Sequence, residues 1–112
     1  MSRLDERAIG ELRELMGPDF GALIQAFSSD SRAQIDAIDA ALAAADAERV
    51  RRVAHSLRGA CVNLGANDLA ELCERVEASG RAGDCGTAGT LMTSVKRELD
   101  AVGDELSRYV RH

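Results

Sequence analysis

Apolar residues recur every three or four positions along most of this chain, and the pattern breaks at Gly17-Pro18, near Asp46, at Gly65 and between Ser79 and Gly86. That period marks amphipathic helices, and the breaks divide the chain into five of them. The first is expected over Leu4 to Met16, with Leu4, Ala8, Leu12 and Leu15 on one side. Gly17 suits the residue after a helix and Pro18 the first turn of the next. The second runs from Asp19 to Ala45 with a stripe of Phe20, Leu23, Ile24, Phe27, Ser31, Ile35, Ile38 and Leu42. The Ser28-Ser29-Asp30-Ser31 run competes for backbone hydrogen bonds. The stripe keeps phase across it, so the helix should continue. The third covers Ala47 to Leu64, capped by Asp46 and stopped by Gly65. Its apolar positions are Val50, Val53, Ala54, Leu57, Cys61 and Leu64. The fourth starts at Asn67 or Asp68 and presents Leu69, Leu72, Cys73 and Val76. A connection with three glycines, Ser79 to Gly86, precedes a fifth helix over Thr87 to Val110, with Leu91, Val95, Leu99, Val102, Leu106 and Tyr109 or Val110 inward.

Short connections make successive helices pack antiparallel. The expected fold is therefore all-α: an antiparallel up-down four-helix bundle with a short additional N-terminal helix. Its 112 residues suit one domain. Residues 1–17 would form the capping helix and residues 18–112 the bundle. Two Phe, one Tyr and no Trp leave the core to Leu, Val, Ile and Ala.

Charge and cysteine usage narrow the function. A net charge of −5 argues against nucleic acid as the main partner. No apolar run approaches membrane-spanning length, and the N-terminus lacks a basic-then-apolar leader. A cytoplasmic protein without a membrane partner is expected. Cys61 and Cys73 fall on apolar stripes and read as small core residues, and none of the three cysteines has zinc-site spacing. The glycines at 80, 83, 86 and 89 lack the pattern of a phosphate loop.

One residue carries candidate chemistry. His55 projects opposite the stripe of the third helix, toward water. Gly59 stands one turn later on the same face, where a helix-interior glycine costs about 1 kcal/mol relative to alanine. Side chains lean toward the helix N-terminus, so a side chain at position 59 would cover the His55 ring. Arg58 adds a permanent cation, and Arg51 and Arg52 lie nearby. Those arginines suit a phosphoryl group, although ion pairs with Glu48 would also account for a basic face. No ATP site, triad or paired carboxylates accompany His55, so a phosphoryl donor would have to be external. Terminal His112 is assigned no role.

The run Ala54-His55-Ser56-Leu57-Arg58-Gly59, followed by Leu64-Gly65-Ala66, Leu69, Leu72-Cys73 and Val76-Glu77, resembles a histidine-containing phosphotransfer (HPt) domain. The likeness spans about Leu23 to Asp84. It implies a four-helix bundle in which His55 takes a phosphoryl group from a receiver-domain aspartate through Nε2 and passes it to another receiver. It implies that Arg58 occupies the supporting basic position, usually lysine, and that Gly59 leaves room for the receiver. In several members a glutamine of the next helix supports the ring. Glu77 falls near that position by spacing, although a carboxylate cannot donate to the ring unless protonated. The implied partners are receiver domains of hybrid histidine kinases and response regulators. Mg²⁺ would sit on the receiver alone, leaving this chain without a cofactor. Arg51, Arg52 and off-stripe Val62 are the candidate partner-binding residues. A closed set of helices favours a monomer. The alternative is an unphosphorylated bundle that binds or sequesters a signalling partner.

Overall fold

The computed structural model describes residues 3–110, and they form helices joined by short turns. Helix α1 spans Glu6–Met16, α2 Phe20–Ala43, α3 Ala47–Asn63, α4 Asn67–Arg81 and α5 Cys85–Tyr109. A 3-10 turn, Gly17–Asp19, joins α1 to α2 with no irregular residue between. Proline tolerates this because it sits in the first turn, where its missing N–H has no partner to lose. No strand occurs among the described residues, and the all-α expectation holds.

Local chemistry sets most of the boundaries. Asp46 caps α3 by accepting from the Arg49 N–H at 3.1 Å, as its position before the stripe suggests. Asp84 caps α5 twice, accepting from Thr87 N–H at 3.0 Å and from Thr87 Oγ1 at 2.6 Å. Those bonds hold its carboxyl below the usual carboxylate range. Gly65 ends the α3 turn at φ +72, a conformation that glycine adopts without strain. The serine run stays helical; buried Ser31 donates to the Ser28 carbonyl at 3.2 Å.

The core follows the predicted stripes of α2, α3 and α5 closely. Val50, Ala54, Leu57 and Cys61 of α3 are fully enclosed, as are Val95, Val102 and Leu106 of α5. Cys61 and Cys73 are buried as expected, and the contact with Cys73, together with burial, pushes the Cys61 thiol far up.

Two expectations need correction. Leu15 is 83% exposed, and Ile9 takes its place as the enclosed residue of α1. The apolar positions of α1 allow two faces, and docking chose the one containing Ile9. Asp5 N–H donates to the Gly65 carbonyl at 2.8 Å, while Leu4 is buried and Arg13 lies over the Tyr109 ring. Helix α1 therefore lies across the end of the bundle formed by the α3–α4 turn and the last turns of α5. The second correction concerns the glycine-rich connection. Helix α4 runs through Gly80 to Arg81 and α5 starts at Cys85, so the connection is only Ala82 to Asp84. Gly80 is a packing glycine: a Cβ there would stand 2.8 Å from Arg51 N and 2.9 Å from the Ala47 carbonyl oxygen. The close approach brings α3 and α4 together one turn before His55.

Candidate functional site

His55 lies midway along α3, and its side chain is 60% exposed, as its position opposite the stripe requires. Glu77 of α4 faces it. The two are 22 residues apart, placed almost symmetrically about the Gly65 turn, so an antiparallel pair of helices brings them level. Glu77 is one of the few polar residues of the interior, at 5% exposure.

Buried Glu77 collects three cationic or potentially cationic neighbours. His55 Nδ1 is 3.0 Å from Oε2. Arg81, one turn further along α4, donates from Nη2 to the same oxygen at 3.0 Å. Arg58 Nε lies 3.2 Å from Oε1, an ion pair whose N–H is not aimed well enough for a hydrogen bond. Burial is the largest single influence on Glu77 and opposes its ionisation. The His55 hydrogen bond and the Arg58 and Arg81 charges, joined by that of the ring when it is protonated, outweigh it and hold the carboxyl below its ordinary range.

Ionised Glu77 can only accept, so the Nδ1 contact requires the ring proton to be on Nδ1. Arg58 Nη2 also approaches Nδ1, at 3.2 Å. A protonated Nδ1 cannot accept from it, so the ring and the guanidinium meet through their shared carboxylate. In this tautomer Nε2 carries a lone pair, and it makes no hydrogen bond among the described residues. A glutamine at this position would donate to the ring, which an ionised Glu77 cannot do. The structure reverses the direction: the ring donates, and a carboxylate is a suitable partner.

The two flanks of His55 differ. Toward α4, Arg51 forks onto Glu48 with contacts of 2.6 and 3.0 Å, and Arg58 and Arg81 hold Glu77. Toward α2, Arg52 is exposed, and with Arg49, Val53 and Ser56 it borders a groove of about 360 Å³ whose other wall is Ala33, Gln34 and Ala37. Gly59 lies on this side of the ring by the helical step. A Cβ at Gly59 would meet nothing within 4 Å, and its backbone is ordinary helix. Neither close packing nor conformation demands glycine there. Val62 is 55% exposed, one turn beyond.

The structure thus brings His55, Arg58 and Glu77 together, and it adds Arg81, which sequence reasoning missed. The available signal was its i,i+4 spacing from Glu77. His112 lies outside the described residues. No cluster of three or more potential metal ligands occurs among those residues. No helix there is long and apolar enough to cross a membrane.

Comparison with known proteins decides the family. The Hpt domain model matches residues 22–105, most of the chain. The chain belongs to the Hpt domain family. This Hpt domain is similar in structure to histidine-containing phosphotransfer protein B (HptB) from Pseudomonas aeruginosa PAO1. The TM-score is 0.92 at 34% identity, covering 96% of this chain and 93% of that one. It is also 32% identical over 75 residues to the sensor protein TorS of Escherichia coli (strain K12). That match takes in 66% of this chain but 8% of TorS, so the Hpt domain corresponds to a small part of that protein. The family and the HptB likeness make this chain a histidine phosphotransfer carrier of phosphorelay signalling, and Hpt domains interact with receiver domains.

Proposed function

We propose that His55 is the phosphorylated residue, accepting a phosphoryl group from a receiver-domain aspartate and passing it to the aspartate of another receiver. The observation that carries this reading is the Nδ1–H bond to ionised Glu77, which in the neutral ring puts the lone pair on Nε2 of an exposed side chain. The Nε2 lone pair forms the N–P bond while the P–O bond to the aspartate breaks and the carboxylate leaves. As Nε2 gains the phosphoryl group the ring becomes cationic, and Glu77 stabilises that charge through Nδ1–H. Return transfer reverses these steps.

Arg58 supports the ring and phosphoryl group electrostatically, and Gly59 keeps the approach clear. Arg51, Arg52 and Val62 belong to the face that meets the receiver, with Arg51 restrained by Glu48. Mg²⁺ would be held by the receiver, and the Hpt domain would need no cofactor of its own. We take the working unit to be a cytoplasmic monomer.

The test is labelling by phosphorylated receivers. Wild type should acquire an acid-labile, base-stable phosphoryl group on His55. His55→Gln should fold normally, since the ring is exposed, and accept nothing. Labelling of that variant at the wild-type level would refute the assignment and leave the non-phosphorylated binding module as the better account.

A further inference from the structure

We propose that the groove between α2 and α3 beside His55 docks an acidic surface of the receiver domain, with Arg49 and Arg52 as its cationic rim and Ala33, Ala37 and Val53 as its floor. The proposal rests on the phosphotransfer reading and specifies which flank of His55 the partner covers and with what chemistry.

Charge distribution carries the argument. The whole chain is −5, yet α3 holds four arginines and one glutamate. Its cations are of two kinds. Arg51 and Arg58 are engaged by Glu48 and Glu77. The Arg49 and Arg52 side chains make no ion pair or hydrogen bond among the described residues, and both are exposed on the groove side. Elsewhere the basic groups near α2 are paired within the fold. Across its seam with α5, Arg32 pairs with Asp100 at 3.6 Å and Lys96 with Asp39 at 2.9 Å. That seam also borders a cleft of about 480 Å³, but the cation lining it, Arg32, is the one already paired with Asp100.

The groove's shape agrees with its charge. Ala33 and Ala37 are one turn apart on α2, and their small side chains leave a trough against half-buried Val53. Gln34 and Ser56 add polar groups, and no carboxylate lines the groove. Ser56 adjoins His55 in sequence, and the glycine at 59 leaves the same flank open. A ridge of small apolar residues flanked by Asp or Glu would therefore fill the trough, place carboxylates at Arg49 and Arg52, and lie against the reactive ring. Exposed charge pairs of this kind act mainly on encounter and register, and salt weakens them.

The experiment uses the receiver domain that labels wild-type His55 fastest, in single-turnover transfer over a range of receiver and salt concentrations. The double variant Arg49→Glu/Arg52→Glu should raise the half-saturating receiver concentration by about tenfold or more and flatten the salt dependence. Its maximal transfer rate constant should stay within about twofold of wild type, because the variant weakens encounter and leaves the ring's own partners in place. Arg97→Glu/Arg108→Glu, an equal change of charge on the exposed face of α5, should leave half-saturation as in wild type. If Arg49→Glu/Arg52→Glu melts well below wild type, Arg49→Gln/Arg52→Gln replaces it, with about a threefold rise expected. Wild-type half-saturation in the groove variant, or an equal loss in the α5 variant, overturns the docking surface while leaving His55 phosphorylation standing. Failure of every receiver to label wild type overturns the phosphotransfer reading and this inference with it.

Discussion

The two flanks of His55 are built on opposite plans. On the α4 side every contact is close and paired: Gly80 admits the Arg51 backbone, and Glu77 binds His55, Arg58 and Arg81. On the α2 side the polar groups are left open. Gly59 faces open space, and the Arg49 and Arg52 side chains make no direct ion pair or hydrogen bond among the described residues. A transfer histidine needs both. One side must fix the ring and its proton, and the other must remain vacant until a partner arrives. It follows that substitutions on the α4 flank should disturb stability and transfer together, whereas those on the α2 flank should disturb transfer alone.

Gly80→Val tests the closed flank most severely. Its Cβ would press on backbone atoms of Arg51 and Ala47, which cannot swing aside as a side chain can. A stability loss of about 1–3 kcal/mol by denaturant melts is expected, with slower transfer, as α3 and α4 separate. A variant as stable as wild type would show that the helices are not held at this distance.

Glu77→Ala should slow phosphoryl acceptance by about tenfold to a hundredfold, the usual cost of removing a group that orients a histidine ring. His55 and Arg81 are well exposed and regain water, but the buried Arg58 Nε loses its counter-charge, so a stability loss of about 1–3 kcal/mol should accompany the slower transfer. Acid titration of stability separates the charge from the packing. The Glu77 carboxyl lies below its ordinary value of 4.5 in the fold, so ionisation contributes stability above that pH. The contribution fades as pH falls through the lowered folded value. The stability difference between wild type and Glu77→Gln should therefore shrink on acidification below about pH 4.5. A difference constant from pH 6 to about pH 3 would mean that Glu77 carries no such charge.

Gly59 tests the open flank. Gly59→Ala should gain up to about 1 kcal/mol from helix propensity. Gly59→Gln should fold as well and transfer slowly, because its longer side chain reaches back over the ring. Wild-type transfer by Gly59→Gln would remove the access argument. The smallest effect is expected at Val62. Val62→Asp should weaken receiver binding a few-fold while its melting temperature changes little, as its exposure allows. A lower melting temperature with unchanged transfer would assign Val62 to packing.

Much of this was legible along the chain. The stripes of α2, α3 and α5, the Asp46 cap and the Gly65 stop rest on neighbours a few residues away, and such signals survive in a linear sequence. His55 was readable for the same reason, since its exposure follows from the phase of one helix. Leu15 and Ile9 were not separable, because α1 is short and two of its faces are apolar enough to bury. Gly80 read as part of a flexible connection because glycine in a loop and glycine at a helix crossing look alike until the opposing helix is known.

What the sequence determined by itself was the set of helices, the exposed histidine, and the arginine and glycine beside it, all products of local periodicity and short-range spacing. What tertiary structure decided was the state of that histidine. Packing α4 against α3 through Gly80 buries Glu77 beside the ring and surrounds it with guanidinium charge. That arrangement keeps the carboxylate ionised, makes it an acceptor, and fixes the ring proton on Nδ1. A proton's position depends on the field of groups brought together by the fold, and no spacing along one chain specifies that field.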